Sequence, residues 1–123
     1  MTEIGLVAVG GGVGAAARYG VGRLMKATSP ALFPWHTFVI NLSGAFLIGL
    51  LLAMAARHGW PGWWRPLLAV GILGGYTTFS TFSLETVELA MRGRYDVAAL
   101  YAFGSLALGL AGCWAGIVLG RAL

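Results

Sequence analysis

Four apolar stretches, each long enough to cross a lipid bilayer, occupy nearly the whole of this 123-residue chain. They cover residues 4–25, 35–56, 66–90 and 97–119. A transmembrane helix needs roughly 20 mostly apolar residues, and four of them with short connections leave no room for a soluble domain. The expected fold is therefore an all-α integral membrane protein, with residues 1–123 as one transmembrane domain. Composition agrees. The chain is 59% hydrophobic and 10% charged, with a mean hydropathy of +0.82, whereas a soluble domain carries about 25% charged residues.

The first apolar stretch lacks the marks of a cleaved signal. Its only early charge is Glu3, with no basic n-region and no small-residue cleavage site before a polar mature part. Cys113 is the single cysteine, which excludes an intrachain disulfide and a thiolate metal cluster; in an apolar run it packs. The net charge of +4 comes from basic residues scattered between apolar segments. It fits membrane-flanking charge rather than nucleic-acid binding. His36 and His58 are far apart and have no cysteines or carboxylates nearby in sequence. No serine–histidine–acid set or paired carboxylates stand out, so an enzyme is not expected.

Prolines and tryptophans punctuate the connections. Pro30 and Pro34 mark the first, Pro61 and Pro66 with Trp60, Trp63 and Trp64 the second, and Gly93 the third. Tryptophan clusters at segment ends fit the aromatic belt of a membrane interface. Within the segments, Gly10, Gly14, Arg18 and Gly22 are four apart, as are Gly112, Gly116 and Gly120. Positions i and i+4 share a helix face, and small residues there let backbones approach closely in lipid. Those faces are expected to touch protein. The run 10–14 looks like a phosphate-binding glycine loop, but such a loop needs a preceding strand and a βαβ unit, so helix packing is the better account.

The basic residues between segments are nearly balanced. Arg57, Arg65 and Arg121 fall on one side of the membrane; Arg23, Lys26, Arg92 and Arg94 fall on the other, three against four. Orientation follows the Lys/Arg bias between loops. A chain without bias can insert both ways up, and two copies can then pair antiparallel, giving the inverted symmetry common in transport proteins.

The third segment is the most informative. Gly74-Gly75-Tyr76-Thr77-Thr78 combines adjacent glycines with β-branched residues, a poor helix at membrane depth. Non-helical backbone is tolerated there only when buried in protein or lining a cavity. Freed carbonyls at such breaks coordinate cations, and half-helix N-termini favour anions. Phe79, Phe82 and Glu85 follow on one stripe. An intramembrane carboxylate is a functional candidate, and Arg18 is its obvious partner by residue type; Glu88 lies nearer the interface. Asn41 in the second segment needs a hydrogen-bond partner, either as structural glue or as a donor lining a pore.

Three elements together carry a family resemblance: Gly11-Gly12-Val13-Gly14-Ala15 with Arg18-Tyr19; Thr37, Asn41, Gly44 and Gly49; and residues 74–82 with Glu85. In order and spacing they resemble the signatures of the fluoride ion channel family (Fluc, also called CrcB). The third is highly specific, and the four-segment layout covers the full chain. The resemblance implies an antiparallel, dual-topology homodimer with two fluoride pathways. It would export fluoride passively from a bacterial plasma or inner membrane and protect the cell from its toxicity. It implies that Phe79 and Phe82 line the pathways and that Asn41 supplies an amide donor. Thr37, Arg18, Ser80, Thr81 and Glu85 would form a polar region at one pore end, with Tyr101 and Ser105 on the fourth helix. It also implies a central structural sodium ion (Na+) at the dimer interface, held by the backbone carbonyls of Gly74 and Thr77. Two positions depart from the family pattern: His36 stands where a glycine is usual, and Gly109 replaces a second hydroxyl residue. Fluoride gives up its hydration only for replacement contacts, which amides, hydroxyls and the positive edges of aromatic rings supply; a narrow pore would exclude larger halides.

A small dual-topology multidrug exporter has similar length and helix count, but carries an essential acidic residue in its first helix, where this chain has Arg18. A non-transporting scaffold would not need a polar, broken third segment.

Overall fold

The computed structural model describes residues 2–28 and 31–123; Pro30 lies outside them. Helix α1 spans Glu3–Thr28 and α2 spans Trp35–His58. The third span begins as a π-helix, π1, over Arg65–Leu73, passes through one α turn, α3, at Gly74–Tyr76, and resumes as α4 over Phe79–Met91. Helix α5 spans Tyr95–Ala122. Together they make four helical spans long and apolar enough to cross a membrane, within a few residues of the expected boundaries.

Local chemistry sets the ends. Glu3 lies in the first turn of α1 and Lys26 in its last, each complementing the helix dipole. Helix α2 stops at Gly59, which takes the left-handed conformation (φ 62°) and donates its amide to the Ala55 carbonyl. Gly93 does the same after α4 (φ 77°), and the amides of Gly93 and Arg94 return to the carbonyls of Ala90 and Leu89 at 2.9 Å each. Residues with a Cβ rarely adopt that conformation.

In lipid the hydrophobic effect does not drive helices together, so close backbone approach must. The i, i+4 glycines provide it. A Cβ at Gly10 or Gly14 would collide with the carbonyl of Leu67 or Ile72, pinning α1 to π1. A Cβ at Gly49 or Gly116 would collide with the carbonyl of Cys113 or Phe46, pinning α2 to α5. The molecule is thus two tight helix pairs, α1 with the first half of the third span and α2 with α5, while α4 leans on α5. A compact core of Leu89, Ala98 and Tyr101, flanked by Phe33, Phe38 and Phe82, closes the end where α4 meets α5. Elsewhere large apolar side chains point outward, among them Ile4, Phe103 and Trp114, as helices facing hydrocarbon require.

The break in the third span is narrower than the glycines suggest. Gly74 is helical (φ −63°, ψ −38°), and only Thr77 and Thr78 are extended. Gly75 serves packing instead: a Cβ there would strike the backbone of Gly11. The local propensity argument located the weak region but not the residues that leave the helix.

Candidate functional site

The break sits at the centre of its span, with nine π-helical and three α-helical residues before it and 13 helical residues after it. Asn41 of α2 holds it open. Its Oδ1 accepts from the Thr78 amide at 2.8 Å, and its Nδ2 donates to the Thr78 carbonyl at 3.0 Å. A backbone N–H can only donate, so this pairing fixes which way the Asn41 amide points and leaves its second N–H uncommitted by Thr78. Asn41 thus acts as both glue and a remaining donor.

Two side chains divert two amides, and the consequence is specific. In an unbroken helix the amide of residue i+4 binds the carbonyl of residue i. The Thr78 amide, which would bind Gly74, is held by Asn41. The Thr81 amide, which would bind Thr77, is held by Thr78 Oγ1 at 3.1 Å, the N-cap of α4. The carbonyls of Gly74 and Thr77 are therefore released from the helical pattern. Those of Leu73 and Gly75 are occupied: Leu73 accepts from both the amide and the hydroxyl of Thr77, at 3.0 and 2.9 Å, and Gly75 accepts from Arg18 Nε at 3.1 Å.

An open groove of about 490 Å³ runs past the break. Asn41, Gly74, Thr77, Phe79, Phe82 and Ser105 are among the residues lining it. The rings of Phe79 and Phe82 are 5.8 Å apart, tilted by 46°. Phe79 is 78% exposed, whereas Phe82 packs on Tyr101 at a ring distance of 5.1 Å. The Ser105 hydroxyl oxygen is buried and has no hydrogen-bond partner among the described residues.

The other candidate residues fall into two groups. Ser80 and Thr81 gather on Thr78 Oγ1, at 3.3 and 3.0 Å, and Arg18 lies one turn back on Gly75. Nearer the membrane end, Tyr101 donates to Glu85 Oε1 at 3.2 Å and is also hydrogen-bonded to Thr37. Both Thr37 and Tyr101 are buried, 1% and 0% exposed; neither appears among the residues lining the groove, to which α5 presents Ser105.

The partner expected for Glu85 is corrected here. Arg18 is engaged at Gly75, and Glu85 Oε2 instead meets His36 Nε2 at 3.2 Å. Residue type singled out arginine; the helix faces deliver histidine, from the first turn of α2. Sequence reasoning also missed Tyr76, whose hydroxyl lies 3.0 Å from Ser43 Oγ, and the π-helix. Proline at position 66, beside the start of π1, was its only local sign.

Comparison with known proteins accords with this layout. The family model described as CrcB-like protein, Camphor Resistance (CrcB), matches residues 5–117. The chain is 48% identical over 123 residues to a protein of Novosphingobium aromaticivorans named Fluoride-specific ion channel FluC, covering 98% of both chains. A protein of the same name from Thermus thermophilus is 49% identical over 118 residues, covering 96% of this chain and 94% of its own. Another, from Coxiella burnetii, is 45% identical over 120 residues, covering 96% and 97%. With its four membrane-capable helices, its broken third span and matches of this extent, the chain belongs to the CrcB-like family.

Proposed function

We propose that this chain is a fluoride-selective channel that lets fluoride leave the cell down its gradient, working as an antiparallel homodimer with two pathways. The observation that carries this reading is the Thr77–Thr78 break, pinned by Asn41 beside an open groove with Phe79, Phe82 and Ser105. The groove offers what a small, strongly hydrated anion needs. Helix α4 starts at its margin, and the first amides of a helix lack intrahelical acceptors and carry partial positive charge. Among the described residues, Asn41 keeps an N–H that Thr78 does not use and the Ser105 hydroxyl has no hydrogen-bond partner, and the two rings present positive edges. The relatives' shared name, Fluoride-specific ion channel FluC, agrees.

A second copy completes the picture. The groove is open, and Phe79 stands 78% exposed beside it, as a residue awaiting a partner would. The near balance of flanking charges favours insertion both ways up. Two antiparallel breaks facing each other would bring together four released carbonyls, from Gly74 and Thr77 of each copy. Carbonyl oxygens suit a hard monovalent cation, and we assign a structural sodium ion to that position, with the charge to offset the anion paths on either side. Arg18, Thr37, Ser80, Thr81, Glu85 and Tyr101 would furnish the polar approach to the pathway.

Reconstitution tests this directly. Liposomes loaded with fluoride and containing the purified protein should release it, read by a fluoride electrode, when an ionophore relieves the charge imbalance; no release would refute the function. A reporter on the C-terminus should give signal from both sides of the membrane, and signal from one side alone would refute the antiparallel dimer.

A further inference from the structure

In the fluoride-channel reading Glu85 stands on the approach to the pathway, where a carboxylate needs an explanation. Glu85 and His36 have side chains only 15% and 18% exposed, and they meet at 3.2 Å. They line a recess at the membrane end, with Lys26 of α1, Glu88 of α4 and Arg92 just past it on its walls; Tyr101 of α5 binds the other Glu85 oxygen. The carboxylate is thus held by two donors, of which only His36 can bring a positive charge. Lysine, arginine and carboxylates ordinarily keep their charge between about pH 5 and 8, while histidine changes its own there. The chain has two histidines, and His58 lies at the far end of α2, roughly 33 Å away by helix rise.

We propose that His36 is a positioning and charge-compensating residue for fluoride passage: it holds Glu85 at the mouth of the pathway and, when protonated, cancels the carboxylate charge that otherwise repels the entering anion. Conduction would then be tuned by pH in this chain through a residue found where the family pattern has glycine. The proposal rests on the fluoride-channel reading.

The direction follows from the charges. With His36 protonated, the pair is neutral and fluoride enters. With His36 neutral, Glu85 keeps its hydrogen bonds but presents a net negative charge. Fluoride flux should therefore fall as pH rises from about 5.5 to about 8, on the order of fivefold to tenfold, the range that a partly screened unit charge near the path produces.

The test is fluoride efflux from liposomes with equal pH on both sides, across that range. His36→Gln keeps a donor without the charge, and flux should stay flat at the wild-type high-pH level. Glu85→Gln removes the repulsion, so flux at the high-pH end should rise above the wild-type level at the same pH. His58→Gln should keep the wild-type profile. A role for His36 in packing alone would lower flux equally at every pH. If wild-type flux is flat, or if His36→Gln retains the full pH dependence, the proposal is overturned while the channel function stands. If no fluoride passes at any pH, the functional reading fails, and this proposal with it.

Discussion

Replacing Asn41 with alanine removes the only side chain that pairs with both backbone groups of Thr78, and the structure sets bounds on the cost. Interhelical side-chain hydrogen bonds in membranes are worth about 0.6 kcal/mol each on average, so two give a floor near 1 kcal/mol. Stranding a buried polar group costs about 1–3 kcal/mol. Thr78 is 9% exposed, so stranding both its groups puts the ceiling at about 6 kcal/mol. Relaxation separates the limits. With Asn41 gone, the Thr78 amide is free to rejoin the Gly74 carbonyl in helical fashion, recovering one bond while closing an oxygen assigned to the sodium site. Asn41→Ala should therefore cost about 2–4 kcal/mol, and fluoride flux should fall by more than about tenfold. Asn41→Asp, nearly the same shape, keeps the acceptor for the Thr78 amide but loses the donor and adds a negative charge. With a carboxylate oxygen set against the Thr78 carbonyl at membrane depth, it should be at least as destabilised as the alanine variant and pass no fluoride. Stability would be read by unfolding in mild detergent, and flux by fluoride efflux from liposomes. If Asn41→Ala unfolds within about 0.5 kcal/mol of wild type with normal flux, the pairing does not hold the break open, and this account of the site fails.

Three further outcomes follow from the same geometry. Phe79→Ile should leave stability unchanged, Phe82→Ile should cost less than about 1.5 kcal/mol because it packs on Tyr101, and both should lower fluoride efflux by at least about tenfold; near-normal flux in both would remove the rings from the pathway. Gly14→Ala and Gly116→Ala push a methyl against backbone carbonyls and should destabilise by about 1–3 kcal/mol or more in thermal unfolding, whereas Gly62→Ala, with nothing within 4 Å, should be neutral. Exchanging sodium for a bulky organic cation should lower the unfolding temperature of the dimer, and an unchanged temperature would count against the sodium site.

Much of this architecture is legible in the sequence because hydrocarbon is an unforgiving solvent. Span length, interfacial tryptophans and small residues four apart each answer to one constraint, and all four spans form as expected. The glycines at 10, 14, 116 and 120 meet neighbouring helices for that reason. What escapes is rotational and reciprocal. Glu85 announces a need for a cation, but which helix turns a basic group toward it depends on packing around the whole bundle; hence His36 rather than Arg18. The break is similar: propensity marked residues 74–78 as a poor helix, but Gly74 and Gly75 stay helical, and the chain opens where Asn41 captures Thr78. A capture of that kind, 37 residues apart in sequence, leaves no local mark.

The central claim is selective passage of fluoride, and the reversal potential of protein-containing planar bilayers tests it most directly. With sodium fluoride on one side and an equal concentration of sodium chloride on the other, current carried by fluoride alone drives the zero-current voltage far toward the fluoride equilibrium potential. A reversal potential near zero, or one set by chloride or sodium, would contradict the account.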